Sequence, residues 1–273
     1  MTNVEAGATR EDMTAPLIFT PEYYRRMRSL ERLAWWNAGM RDVAAMLLDR
    51  AQLGSTGMLL DIGCGSGQTM AWFLEEHPAW RAVGLDVAPD GLLAARTMGT
   101  TAVMRASALD LPVPAGAVDL TISLDVLQHL PLDGGDRRAL AEMARVVRPG
   151  GHVLLRTNAQ SLPRTLDDEA FNFHKYTPGE LRTKMEAAGF DVLRIGRLNA
   201  LLGLAEIPGD MRARKDTHGY QGLRSEARAE PRWLWSAKRG VLRLEGRGVV
   251  RGFSWPLGRT IVALGRRRER IGR

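Results

Sequence analysis

The 273-residue chain holds one cysteine, Cys64, so no disulfide can form within it. A core of this length needs no such staple. The low count suits a reducing cytoplasm, the compartment expected here. No apolar run approaches the roughly 20 residues that span a bilayer. Stretches such as Leu198–Leu204 are only of core length. The first 17 residues lack the basic start and apolar block of a signal peptide and read as a disordered tail. No internal repeat is visible. His77, His152 and His218 fall in no metal-ligand pattern, and no metal is expected.

Lysine is scarce too: 34 of the 38 basic residues are arginine. The net charge of +7 is uneven. Met211–Arg273 carries 17 basic and 5 acidic residues, a net +12, whereas residues 1–210 sum to −5. Such a basic segment can meet an anionic lipid head group, a phosphorylated substrate or nucleic acid. A solvated arginine-rich surface explains it as well.

What is present is a β–α alternation. Apolar residues recur at helical spacing over 21–52, with Pro21 suited to a first turn. Strands are predicted at Met58–Ile62, Ala82–Asp86, Thr101–Met104, Val118–Leu124, His152–Thr157, Phe190–Arg197 and Thr260–Leu264. Helices are predicted at Thr69–Glu76, Pro89–Met98, after Leu124, and at Arg137–Val147, Pro178–Ala188 and Trp233–Glu245. This order implies a largely parallel sheet covered on both faces. Ile207–Arg232 is polar with Gly and Pro and reads as an excursion.

The most specific segment is Leu59-Leu60-Asp61-Ile62-Gly63-Cys64-Gly65-Ser66-Gly67-Gln68. A strand ends and a helix begins across Gly63, Gly65 and Gly67. Glycines permit positive φ and let a ligand approach the backbone. A dinucleotide site aims a helix N-terminus at a pyrophosphate and has a further glycine where Gln68 stands. Asp61 at the strand end suits a cation instead. Asp86 ends the next strand, 25 residues on, where a carboxylate can accept both hydroxyls of a ribose. It can equally cap the helix ahead of Pro89.

With these residues the chain resembles the class I S-adenosylmethionine (SAM)-dependent methyltransferases. The resemblance continues through Ala106-Ser107-Ala108-Leu109-Asp110-Leu111-Pro112, through Val118–Leu130 and through Arg148-Pro149-Gly150-Gly151. It implies a Rossmann-like seven-stranded sheet, mostly parallel with an antiparallel last strand, and SAM as cofactor with S-adenosylhomocysteine as product. It assigns cofactor contacts to Asp61, Gly63, Cys64, Gly65, Gly67, Asp86 and Val87. Ser107, Ala108 and Leu109 would hold the adenine, and backbone around Leu124 would face the methionine part. Many members have Asp where this chain has Ser107. Glu22–Trp36, Tyr176–Leu181, Asn199–Leu202 and Pro256–Arg259 resemble a bacterial subgroup associated with the cell envelope or secondary metabolism. The implied layout is a tail over 1–17 and a methyltransferase domain over 18–273. Within that domain, a helical cap covers 18–54, the core 55–200, an excursion with a helical insertion 201–256, and the last strand with a basic tail 257–273.

Methyl transfer is an in-line displacement in which positioning does much of the work. A hydroxyl acceptor also benefits from a base. Asp125 and His129 would share a helix face beside the methyl, with Asp125 orienting His129. His174 is the second candidate base. Tyr24, Trp35, Trp36 and Tyr176 are candidate acceptor contacts. The lack of an Asp/Asn-Pro-Pro-aromatic motif after strand four disfavours exocyclic base amines, and the lone cysteine excludes covalent pyrimidine chemistry. The expected acceptor is a small, lipid-linked or glycan-type molecule, with nucleic acid disfavoured, peripheral membrane contact through the basic segment open, and the oligomeric state undetermined. The alternatives are a catalytically silent SAM-binding scaffold and an RNA methyltransferase using the basic segment, with Trp233, Trp235 and Trp255 to stack on bases.

Overall fold

Successive residues of a strand face opposite sides of a sheet, and in Met58–Ile62 this separates Leu59 from Leu60 and Ile62. The computed structural model describes residues 35–97, 99, 102–160, 174–203 and 231–269. Among them are seven strands: β1 (Met58–Ile62), β2 (Arg81–Asp86), β3 (Val103–Arg105), β4 (Val118–Leu124), β5 (Val147–Asn158), β6 (Phe190–Leu198) and β7 (Thr260–Arg267). Six α-helices accompany them: α1 (Trp35–Ala51), α2 (Gln68–Glu76), α3 (Pro89–Thr97), α4 (Gly135–Val146), α5 (Pro178–Ala187) and α6 (Arg232–Val250). The strands form one sheet in the order β3-β2-β1-β4-β5-β7-β6. Neighbours from β3 to β5 pair in parallel, and β7 runs antiparallel to both β5 and β6. This is the Rossmann-like architecture that the resemblance implies.

Both faces are covered, as the near-continuous apolar strands require. On one side Leu60, Ile62, Val153 and Leu155 pack with Leu140 and Met143 of α4 and with Leu181 and Met185 of α5. On the other, Leu59, Leu120, Ile122 and Leu154 pack with Leu47 of α1, Phe73 of α2, Leu92 of α3 and Leu242 of α6.

α6 belongs to this second layer. It runs in the same direction as α1, and two glycines set the spacing. A Cβ added at Gly39 would sit 2.7 Å from Leu242, and one at Gly246 would sit 2.6 Å from Val43. Asp42 accepts two hydrogen bonds from Arg239, at 2.6 and 2.7 Å. Glu245, 1% exposed, accepts from the backbone of Ala200 and Leu201 and so ties α6 to the end of β6.

Of the helix predicted over 21–52, Trp35–Ala51 is helical and the rest lies outside the described residues. The structure departs from the sequence reading around β4 and β5. β5 begins at Val147, before the glycine pair, through an irregular register against Val118 and Leu120. No α-helix starts directly after Leu124: a 3-10 turn, Leu127–His129, stands there, ahead of α4.

Two of the three glycines of α6, Gly240 and Gly246, give substitutions of opposite sign. Gly246→Val drives methyl groups into Val43 and Met46, and overpacking of this kind costs about 1–3 kcal/mol. Gly240→Ala enters open space and should stabilise by about 0.5–1 kcal/mol. Urea denaturation midpoints check both; equal shifts in one direction would refute this account of the α1–α6 contact.

Candidate active site

The turn after β1 is held by backbone bonds to the end of β2. Gly63 and Cys64 both donate to the Leu85 carbonyl, at 2.7 and 2.9 Å, and Gly67 donates to the Cys64 carbonyl at 2.8 Å. Gly63, Gly65 and Gly67 have φ of 75°, 50° and 77°, in the left-handed region. At Gly63 a side chain would also collide with Val126 Cγ2, so this glycine lets the loop close against the exit of β4. Cys64 contributes its backbone. Its sulfur lies on the Gly84 and Met70 side, and burial with Asp61 and Asp86 nearby pushes the thiol far up, so it stays protonated.

Two buried carboxylates flank this loop. Asp86 accepts from Gly65 N through Oδ2 and from Ala88 N through Oδ1, both at 2.8 Å. It therefore caps the chain ahead of α3 while holding the loop. Burial raises its pKa, and these backbone bonds oppose the shift. Asp61, 2% exposed, is pushed up to about 7 by burial and by the charge of Asp86. Its Oδ2 has no hydrogen-bond partner. Gln68, next to the loop, accepts from Arg41 of α1 at 2.9 Å.

The neighbouring strand ends lie alongside. Ala106 donates to the Asp86 carbonyl at 3.1 Å, and Arg105 Nε reaches the Val87 carbonyl at 3.0 Å. Ser107 is buried, and its hydroxyl accepts from Leu109 N at 3.2 Å, closing the local turn. Leu109 is 5% exposed and packs in the core beneath, with Ala108 equally covered. Leu124 lines a small cavity together with Met40, Ala44 and Leu47 of α1.

At the exit of β4 the expected shared helix face is absent. Asp125 has φ 61°, and its Oδ2 accepts from Arg156 Nε and Nη2 at 2.9 and 2.5 Å. The pairing of Asp125 as orienter of His129 on a helix is thus corrected: the carboxylate is drawn across to β5. The 3-10 turn is pinned instead by Gln128, which is buried. Its Oε1 accepts from Thr157 Oγ1 at 3.1 Å and from Asn158 N at 3.0 Å. His129 is half-buried, and desolvation lowers its pKa to about 4 against a smaller opposing pull from Asp125. Its imidazole is neutral around pH 7.

Tyr176 is also corrected. It is fully buried, and its hydroxyl donates toward Leu127 O at 3.3 Å and Asp136 Oδ2 at 3.1 Å, so it lines no acceptor surface. His174 stacks on its ring at 4.1 Å, donates its backbone N–H to the Gln128 carbonyl, and faces Glu180 Oε1 through Nε2 at 3.0 Å. Asp136, His174 and Glu180 bring ligand atoms within 4.8 Å of one another, and Lys184 Nζ already sits on both acids, at 2.5 and 3.2 Å. His174 thus belongs to a clamp between the post-β4 turn and α5. Trp35 and Trp36 are half-buried and meet edge to face at 6.0 Å, with Lys238 of α6 over Trp35. Tyr24 lies outside the described residues, as do Tyr23, Phe171 and Phe173.

Sequence reasoning missed Arg156, Gln128 and Asp136. Arg156 carried a signal: a charge inside the apolar run Val153–Thr157 demands a partner, and the register sets it opposite Leu124. Gln128 carried none.

A glycine turn thus stands between two buried carboxylates at the carboxyl ends of parallel strands in a 3-2-1-4-5-7-6 sheet. Residues 60–155 match the methyltransferase domain family. Over this stretch the chain is similar to that family. Among curated relatives, a trans-aconitate 2-methyltransferase of Azoarcus is 30% identical over 142 residues, covering 52% of this chain and 53% of that protein. A tRNA (carboxymethyluridine) methyltransferase of Arabidopsis thaliana is 34% identical over 113 residues, 41% of this chain and 26% of that protein. The chain spans about half or less of the length of these relatives. The fold is shared with the Haemonchus contortus phosphoethanolamine N-methyltransferase 2 solved with SAM, at a TM-score of 0.64 and 14% identity over 97% of this chain and 61% of that one. With one relative named for tRNA, the expectation against nucleic acid finds no support.

The residues fit SAM. It carries a cationic ammonium and sulfonium and no phosphate, and the buried, unpartnered Oδ2 of Asp61 is an acceptor awaiting a cation. Because burial raises Asp61 above its unfolded value of 3.8, the ligand-free protein holds a proton there below about pH 7. That proton stabilises the fold fully below the unfolded pKa, and the benefit is lost as pH rises through the folded one. A cationic ligand favours the ionised form, so binding should release a proton. Affinity should fall as pH drops below about 7, approaching about tenfold per unit. Calorimetry in buffers of different ionisation enthalpy reads the proton directly. Asp61→Asn should abolish the release, and a wild-type protein binding SAM with no proton exchange near pH 6.5 would contradict this role.

Proposed function

We infer that the chain transfers a methyl group from SAM to a hydroxyl or amine of a small-molecule, lipid-linked or glycan-type acceptor. The observation that carries this reading is the position of His129, a neutral imidazole one turn beyond β4, in the segment that packs against the glycine loop through Val126 and Gly63. Residues 18–273 act as one unit in this reading.

SAM supplies an electrophilic methyl on a leaving group that needs no further activation, so most of the remaining work is alignment. Asp61, Gly63, Gly65, Gly67 and Asp86 bind and orient the cofactor, with Val87, Ser107 and Ala108 at the adenine side. The hydroxyl of Ser107 keeps its bond to Leu109 N, and Leu109 supports this turn from below. Gln128, held by Thr157 and Asn158, keeps the turn carrying His129 in place. When the acceptor is a hydroxyl, its proton passes to a ring nitrogen of His129. Asp125 and Arg156 form an ion pair at the margin and balance each other's charge. Trp35 and Trp36 form the apolar border of the acceptor. His174 holds the clamp rather than the proton.

His129→Ala should keep SAM affinity and lower turnover of a hydroxyl acceptor by about 100- to 10,000-fold, the usual loss of a working base. With His129 titrating near 4, turnover at saturating SAM should show no inflection near pH 6.5. An unchanged rate would shift the reading to an amine or carboxylate acceptor moved by alignment alone. Failure to form S-adenosylhomocysteine with any acceptor, despite SAM binding, would favour a silent scaffold. Turnover on RNA alone would favour the third reading, which the tRNA-directed relative supports.

A further inference from the structure

The outward face of α6 is unlike the rest of the surface. Its inward stripe, Leu242, Glu245, Gly246 and Val249, is buried. On the opposite side, steps of four and three residues place Trp233, Ala237, Gly240, Leu244, Arg247 and Arg251 on one line. Trp233 is 71% exposed and Leu244 61%, and Phe253, just past the helix, is 51% exposed. Exposed Arg232 and Arg243 border the same stripe. The helix has one acidic residue, Glu245, and it is turned inward. Large apolar side chains and arginines therefore share a face with no exposed carboxylate of the helix among them.

This is the composition of a helix that lies in a membrane interface: aromatic and aliphatic groups enter the boundary of the acyl chains, and arginines meet anionic head groups. None of the helices among the described residues is long and apolar enough to cross a bilayer, so such contact is peripheral. The 19-residue helix would lie about 28 Å along the surface. Its partners on the inner side are fixed: Asp42 holds Arg239 and lies 3.9 Å from Arg243 Nε, and Lys238 covers Trp35, so those three cations remain with the protein. A protein partner or a second copy accounts for the apolar groups but gives the arginines no purpose. An RNA partner accounts for the arginines and Trp233 but leaves Leu244 and Phe253 wet.

We propose that the outward face of α6 docks the protein on an anionic membrane surface, through Trp233, Leu244 and Phe253 inserted among lipids whose head groups pair with Arg247 and Arg251. The docked helix begins beside Trp35, whose ring Lys238 of its first turns covers, so its N-terminal end borders the acceptor side of the site. The proposal itself is independent of which acceptor is methylated.

The test is sedimentation of the whole chain with vesicles of phosphatidylcholine alone or mixed with phosphatidylglycerol. Binding is expected with the anionic vesicles and should weaken with salt. Arg247→Glu with Arg251→Glu should reduce partitioning by at least about 25-fold, since each arginine near an anionic surface contributes about a factor of five. Trp233→Ser with Leu244→Ser should reduce it at every salt concentration. SAM affinity and thermal midpoint should stay unchanged in both pairs, which separates lost docking from lost folding. Absence of binding to anionic vesicles by the wild type overturns the proposal. So does binding that neither pair alters, or a stripe whose variants lose only RNA affinity or only self-association.

Discussion

The carboxylate of Asp86 joins the two loops from which the site is built. One oxygen holds the glycine turn at Gly65 and the other holds the chain at Ala88, where α3 begins. Both bonds are to backbone N–H groups, and both strengthen when the carboxylate is charged. The same charge, sealed with Asp61 at the strand ends, makes a second negative group costly to hold. Asp61 responds by titrating near neutrality. The site thus has a negative field with one acceptor left unsatisfied, an arrangement that opposes phosphates and favours a cation.

The α1–α6 layer shows how an excursion becomes part of a domain. Two glycines let the helices approach, the Asp42–Arg239 pair aligns them, and the buried Glu245 reaches back to the first N–H groups after β6. An unpaired charge at Glu245 would be expensive, and the backbone donors of Ala200 and Leu201 satisfy it. The helix consequently cannot shift without disturbing the end of a strand.

Most of the fold was legible because alternating and helical periodicities report burial directly, and the glycine turn with Asp61 and Asp86 carries its own chemistry. The exit of β4 was not. Asp125-Val126-Leu127-Gln128-His129 has the spacing of a helical turn, yet the backbone turns left-handed at Asp125 because Arg156, brought alongside by strand register, takes its carboxylate. Tyr176 failed for a related reason. An aromatic residue before a helix reads as loop surface, and the acid that accepts its hydroxyl, Asp136, is 40 positions away on another element. Pairings that depend on sheet register or helix docking leave no local mark.

The sheet order has a consequence for time. β7 sits between β5 and β6, although it is the last of the three in the chain. While the chain is being synthesised, the edge of β5 must wait for its partner. About 100 residues separate Asn158 from Thr260, and ribosomes add about 5–20 residues per second, so the wait is roughly 5–20 s. Through that interval β1 to β4 can already be assembled and the glycine turn formed, while a long apolar edge stays unpaired and open to wrong partners. A ligand that bound the nascent turn would stabilise this half-built sheet before its far edge closed.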